Sequence, residues 1–107
     1  MLYFRGHRRE NVVAASDVIC RAIGSRHILS FVYKGSARLA EPYVLGFDAS
    51  SRLILSAVQI MGGSGSGFRT FLVAELSVVL ETDRKFIGRH PGYNPRDRLF
   101  ARIICQI

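Results

Sequence analysis

Several residue types that would point to a particular class of protein are scarce or absent in this sequence. Among its 107 residues there are no tryptophans, three prolines and two cysteines. No apolar run reaches the roughly 18 residues of a membrane-spanning helix, so no membrane span is predicted. The basic residues near the N-terminus are not followed by the apolar core of a secretory signal. We therefore expect a cytoplasmic protein with no membrane partner.

The two cysteines, Cys20 and Cys105, each stand inside an apolar segment. Two isolated thiols have neither the ligand spacing of a zinc site nor the number expected of a disulfide framework. Free cysteine is often buried, and it stays reduced in the cytosol. The sequence therefore predicts two buried, reduced thiols. It indicates no metal site and no cofactor.

Negative charge is also in short supply, since 15 Lys and Arg oppose 8 Asp and Glu for a formal net charge of +7. Thirteen of the basic residues are arginine, whose planar guanidinium binds phosphate and carboxylate groups and stacks on aromatic rings. This excess favours an anionic partner such as nucleic acid, a nucleotide or an acidic protein surface. An arginine-rich surface that only aids solubility is the alternative, and charge alone does not separate the two.

Apolar periodicity predicts one short helix followed by five or six strands. Between Val12 and Ile23 the apolar residues recur at helical spacing, with Ser16 as the expected N-cap and Gly24 as the expected end. Segments rich in β-branched and aromatic residues predict strands at His27–Tyr33, Arg38–Phe47, Leu53–Ile60, Phe68–Leu72, Leu76–Leu80 and Leu99–Ile107. The fifth of these is expected to pair with the third strand or at the far edge. The separations between strands are too short for parallel crossovers, so the predicted fold is mainly β, a small antiparallel barrel.

Three local features refine this fold. Pro42 predicts a bend in the second strand or an edge position for it. The segment Glu81–Arg98 is polar and rich in turns, and only Phe86, Ile87 and Tyr93 are expected to hold it in place. Residues 1–11 are predicted to form a basic N-terminal arm, and residues 12–107 a single small barrel domain.

Sequence signals for catalysis are poor. His7, His27 and His90 stand in unrelated contexts, and none has a local nucleophile–base signature. The glycine–serine segment 62–67 lacks the Lys-Ser/Thr of a nucleotide-binding loop, and no helix pattern follows it, so we interpret it as a hairpin connector. We expect that the protein is not an enzyme.

The strongest binding signal is an arginine between two phenylalanines. Strand alternation places Arg69 and Phe71 on one face and Phe68 on the other. An arginine beside an aromatic ring suits a ligand that combines a base with a phosphate. In the alternative interpretation Phe71 belongs to the core and Arg69 only extends along its edge. With residues from neighbouring strands added, the candidate binding site comprises Tyr33, Arg38, Arg52, Phe68, Arg69 and Phe71.

The order of these elements resembles the WYL domain family, named for a Trp-Tyr-Leu triplet on one strand. The resemblance covers roughly residues 18–86, and the matching residues are Phe31, Tyr33, Arg38, Pro42, Arg69 and Phe71. The segment Leu53–Leu55 stands where the triplet is expected, and no helix-turn-helix is expected before the domain, so the chain resembles a divergent, stand-alone member.

The resemblance implies an SH3-like or Sm-like barrel. It also implies a non-catalytic module of bacterial transcription regulation that senses nucleic acid or a small anionic, nucleotide-like effector. A different class of function is a structural or interaction protein that forms homo-oligomers through its edge strands. For that function the expected donor is the C-terminal strand, Leu99–Ile107.

Overall fold

The computed structural model describes residues 3–63 and 67–107, with side chains from residue 12 onward. The elements are α1 (Tyr3–Ser25), β1 (His27–Tyr33), β2 (Ser36–Phe47), β3 (Leu53–Met61), β4 (Gly67–Leu72), a 3₁₀ turn (Val73–Glu75), β5 (Leu76–Lys85) and β6 (Arg102–Gln106). This order confirms the mainly β fold with one N-terminal helix.

The six strands form one antiparallel sheet in the order β4-β3-β2-β1-β5, with β6 added to β2. Antiparallel pairing is what the short connections between the strands require. The fifth strand extends to Lys85 and pairs with β1, where the sequence predicted the third strand or a far edge. The sheet is open, so closure into a barrel is not confirmed.

Pro42 lies where β2 changes its partner. The first half of β2, up to Ala40, pairs with β1, and the second half, from Val44, pairs with β6. Proline has no N–H to donate, so it fits the gap between these two partners. The pairing with β3 shifts in register just after Pro42, which agrees with the predicted bend. The alternative of an edge position is wrong, because β2 is central.

The sheet curls around its inner face. The ring centroids of Phe31 on β1 and Phe71 on β4 are 5.0 Å apart, whereas three strand spacings of a flat sheet would separate them by about 14 Å. The inner core combines these rings with buried residues of the helix and of every strand from β1 to β4. The helix contributes Ala15, Ile19, Ala22 and Ile23 to it. Their spacing is the apolar stripe that predicted the helix.

The helix begins earlier than the sequence suggested. It starts at Tyr3, so Ser16 lies inside it and is not its N-cap. The Ser16 hydroxyl donates to the carbonyl oxygen of Val12 at 2.9 Å, a bond that makes serine compatible with a helix interior. The side chains of residues 1–11, including the predicted basic arm, lie outside the described part, and the division into arm and domain stays a prediction.

The C-terminal segment, residues 86–101 between β5 and β6, covers the outer face of the sheet. Its Phe86 packs with Ile28, Tyr43, Val44 and Val58 in a second core. The buried Tyr43 hydroxyl accepts a hydrogen bond from the backbone N–H of His90 at 2.9 Å. The ring of Tyr93 also packs here, as expected, but Ile87 is 83% exposed and does not hold the segment.

Cys20 and Cys105 form a disulfide, so the prediction of two reduced thiols is wrong. Their Cα atoms are 5.8 Å apart although 85 residues separate them in sequence. Only the packing of α1 beside β6 brings them together, and no spacing rule detects such a contact. Disulfides persist mainly in oxidising compartments, and the cytoplasmic location stays a prediction.

Candidate anion-binding site

One end of the inner face carries a row of side chains from four consecutive strands. Strand register places them there, because directly paired residues point to the same face. Each of three such side chains is paired with a residue of the inner core: Arg38 with Phe31, Gln59 with Ala40, and Arg69 with Ala57. We call this set the inner-face row, and it consists of Tyr33, Arg38, Gln59 and Arg69.

Arg38 is fixed at the centre of the row. Its guanidinium carbon lies 4.9 Å from the centre of the Tyr33 ring, within the range of a cation–π interaction. Its Nη1 donates to Oε1 of Gln59 at 3.0 Å. The Arg38 Nε is buried and has no hydrogen-bond partner among the described residues. The guanidinium is thus held in one place while one donor remains unsatisfied.

Gln59 is a functional candidate that the sequence analysis missed. Its side chain is 1% exposed, and its Nε2 donates to the carbonyl oxygen of Gly62 at 2.6 Å. It therefore ties β3 to the loop that follows it while accepting from Arg38. The available signal was a polar residue at the end of the inward-facing series Leu55, Ala57, Gln59.

The loop after β3 leaves room for Arg38 only because it contains glycine. Gly62 and Gly63 have φ angles of 94° and 60°, which most other residues avoid. A Cβ at Gly63 would lie 2.7 Å from Nη1 of Arg38. A larger residue there would displace the guanidinium.

Tyr33 and Phe71 form the aromatic part of the site. Their ring centroids are 5.1 Å apart in an edge-to-face arrangement, and Phe71 is 1% exposed. Phe71 therefore belongs to the core and supports the Tyr33 ring from below. Lys34 adds a second cation, with Nζ 5.3 Å from the centre of the Tyr33 ring.

Two residues of the predicted site lie elsewhere. Phe68 is on the outer face, where its ring centroid is 5.0 Å from that of Tyr43. Arg52 precedes β3 at the end opposite to Gln59, roughly 20 Å away along the strand. The structure thus brings Tyr33, Arg38, Arg69 and Phe71 to one end of the inner face and separates Arg52 and Phe68 from them.

Arg52 stabilises the turn between β2 and β3. Its Nε donates to Oδ2 of Asp48 at 2.9 Å, and its backbone N–H donates to Oδ1. The backbone N–H of Arg52, its guanidinium and the N–H of Ser50 lower the pKa of Asp48, although burial acts in the opposite direction. This arginine is therefore engaged within the protein.

A separate cluster links the end of α1 to β5. Glu81 accepts hydrogen bonds from Ser25 Oγ at 2.7 Å, His27 Nδ1 at 2.6 Å and Arg21 Nε at 2.9 Å. Led by the Ser25 bond, these donors lower the pKa of Glu81 to about 2. Both Ser25 and Glu81 approach Nδ1 of His27, whereas a catalytic triad needs its partners on opposite ring nitrogens.

Among the side chains of residues 12–63 and 67–107, no three metal-ligating groups come together. The one helix of this part of the chain lacks the length or the apolar character needed to cross a bilayer. The expectation that the protein is not an enzyme stays a prediction.

No protein-family model, curated protein or solved structure matches this chain. The resemblance to the WYL family therefore stays a prediction.

Proposed function

We propose that the inner-face row binds an anionic ligand that carries an aromatic ring, namely a nucleotide or a short single-stranded nucleic acid. The protein would act as a non-catalytic, ligand-sensing module of the WYL type. The observation that supports this most strongly is Arg38, whose guanidinium is held between the Tyr33 ring and the Gln59 amide.

A pre-positioned arginine lowers the cost of binding. The Tyr33 and Gln59 contacts restrict the rotamers of Arg38 before a ligand arrives, so less side-chain entropy is lost on binding. Lys34 beside the same ring and Arg69 two strands away add positive charge at this end of the sheet. Phosphate oxygens are the groups that such a cluster binds best.

The curled sheet supports a small-barrel interpretation of the fold. The Phe31–Phe71 contact brings β1 and β4 together across the inner core, and the 3₁₀ turn leads the chain from β4 to β5. We therefore propose an incompletely closed, SH3-like barrel with the inner-face row at one mouth. Ligand sites of small barrels commonly lie at such mouths.

Fluorescence anisotropy with labelled single-stranded oligonucleotides, and competition by mononucleotides, tests the proposal. We expect Arg38→Ala to weaken binding by about tenfold or more, which corresponds to about 1.4 kcal/mol. Arg52→Ala is the matched control, because it removes one positive charge from the opposite end of β3 and is expected to leave the affinity nearly unchanged.

The salt dependence gives a second measure in the same experiment. If Arg38 contacts a phosphate of a single strand, its removal reduces the slope of log K against log salt by roughly 0.7. Equal losses in Arg38→Ala and Arg52→Ala would show binding by net charge alone. No binding by the wild type at low salt would refute the proposal.

A further inference from the structure

β5 ends the sheet and leaves one of its edges unpaired within the described part of the chain. Its ten residues begin with Leu-Ser-Val-Val-Leu at positions 76–80. This stretch has neither a proline nor a charged residue, two of the usual protections of an edge strand, whereas residues 81–85 of the same strand are mostly charged. The uncharged half of such an edge is available for pairing with another strand.

The same edge is apolar on its surface. Val78 is 66% exposed and Leu80 is 56% exposed, and Val13 on the adjacent helix is 58% exposed. Between helix and strand runs a groove of about 270 Å³. Its lining consists of Ala14, Ala15, Val18, Leu76, Ser77, Val78 and Val79.

Val78 also has an unfavourable backbone conformation. Its φ is +50°, a region that β-branched residues almost never occupy. It lies at a register shift between β1 and β5, after Ser77, which pairs with Val32, and before Leu80, which pairs with Ser30. This β-bulge turns the Val78 side chain outward. The positive φ of Val78 costs about 1–3 kcal/mol, and the same residue exposes its apolar side chain.

The charges at the two ends of β5 indicate what covers it. Glu75 precedes the strand and Lys85 ends it, both are exposed, and each is five residues from Leu80. In the β1–β5 register, Lys85 and Leu76 each lie three strand positions from Leu80. When two copies pair antiparallel about a two-fold axis at Leu80, Lys85 of each copy therefore lies next to Glu75 of the other, which ends the 3₁₀ turn just before Leu76. Arg84 is adjacent to this pair. A parallel arrangement would place like charges side by side.

We propose that β5 is the interface between two copies of this chain, paired antiparallel about a two-fold axis, with the apolar surface of Val78 and Leu80 covered on dimerisation. The C-terminal strand, which the sequence suggested as the donor, is not needed for this interface. The proposal is independent of the anion site, which lies on the inner face.

Sedimentation equilibrium over a concentration series tests the interface. We expect a monomer–dimer equilibrium in the wild type and at least a tenfold increase in the dissociation constant for Val78→Lys. Two controls also place a lysine at an exposed apolar position. Ile87→Lys lies in the C-terminal segment and Ile104→Lys lies on β6, and neither is expected to change the dissociation constant.

Charge exchange identifies the antiparallel pairing itself. A variant with Glu75→Lys and a second variant with Arg84→Glu and Lys85→Glu should each be monomeric, because like charges then face one another. Mixing the two should restore a heterodimer, detected by labelling one variant and measuring its sedimentation.

Three results would overturn the proposal or part of it. A wild type that stays monomeric to millimolar concentration excludes the dimer. Association that survives Val78→Lys but is lost in Ile104→Lys assigns the interface to β6. If the two charge variants associate no better together than alone, the antiparallel arrangement is wrong.

Discussion

At the scale of single residues, the features with the clearest consequences contradict local preference. Val78 occupies a region of φ that valine avoids, Gln59 is an uncharged polar residue on an apolar face, and Arg38 has a buried nitrogen with no partner in the described part of the chain. Propensity and periodicity describe what most residues do, so they do not anticipate such exceptions. Only the polar position in the β3 pattern offered a signal in the sequence.

Val78→Gly separates the strain at this position from its surface role. Glycine adopts a positive φ without penalty, so we expect the free energy of unfolding to rise by roughly 1 kcal/mol. Urea denaturation of the monomer at low concentration measures it. The same variant should associate more weakly, because the apolar side chain is gone.

Val32→Gly provides the comparison, since this residue of β1 does not have a positive φ and glycine weakens a strand interior. A loss of stability is expected there. If Val78→Gly also lost stability, the backbone at Val78 would not be strained.

At the scale of elements, the positions of the strands in the sequence were largely predictable, whereas the partner with which each strand pairs was not. β1 matches its predicted range, His27–Tyr33, because it is rich in β-branched and aromatic residues and a Lys-Gly turn follows, with positive φ at both positions. The start of α1 was missed because Ser16 resembles an N-cap, although it bonds back to Val12. The pairing of β5 with β1 depends on tertiary packing, which local patterns do not encode.

The Glu81 cluster, which links α1 to β5, predicts how the stability of the fold depends on pH. The pKa of Glu81 is about 2 in the folded protein against an ordinary value of 4.5. The unfolded chain therefore binds a proton at a higher pH than the folded one. The stability that Glu81 contributes is complete above about pH 4.5 and is lost as the pH falls toward 2.

Glu81→Gln tests this contribution through urea midpoints measured between pH 2 and 7. The variant should be less stable than the wild type by roughly 1–3 kcal/mol at neutral pH, and the difference should shrink below about pH 4.5. Asp83→Asn is the control, since Asp83 is an exposed acid on the same strand. Parallel curves for wild type and Glu81→Gln would contradict the assignment.

At the scale of the whole molecule, the disulfide between Cys20 and Cys105 connects the helix to the last strand across 85 residues of sequence. A cross-link over so long a loop restricts the unfolded chain strongly and stabilises the fold by roughly 2–4 kcal/mol. The sequence placed both cysteines in buried segments but gave no means of pairing them.

The expected result is a large fall in the thermal midpoint of the wild type when a reductant is added. The double variant Cys20→Ser, Cys105→Ser should unfold at about the temperature of the reduced wild type and show no response to reductant. Mass spectrometry after alkylation of the unreduced protein reports the bond directly. Two alkylated thiols in that sample would contradict it.

The division of β2 between two partners also affects the order in which the fold can form. The β1–β2 hairpin closes across a two-residue turn, so it can form as soon as both strands leave the ribosome. The second half of β2 gains its partner only when Arg102 and the residues after it are made. During synthesis the edge of this half of β2 therefore stays unpaired while more than fifty further residues are added. Until then it is an unpaired strand edge, a feature that makes folding intermediates prone to aggregation.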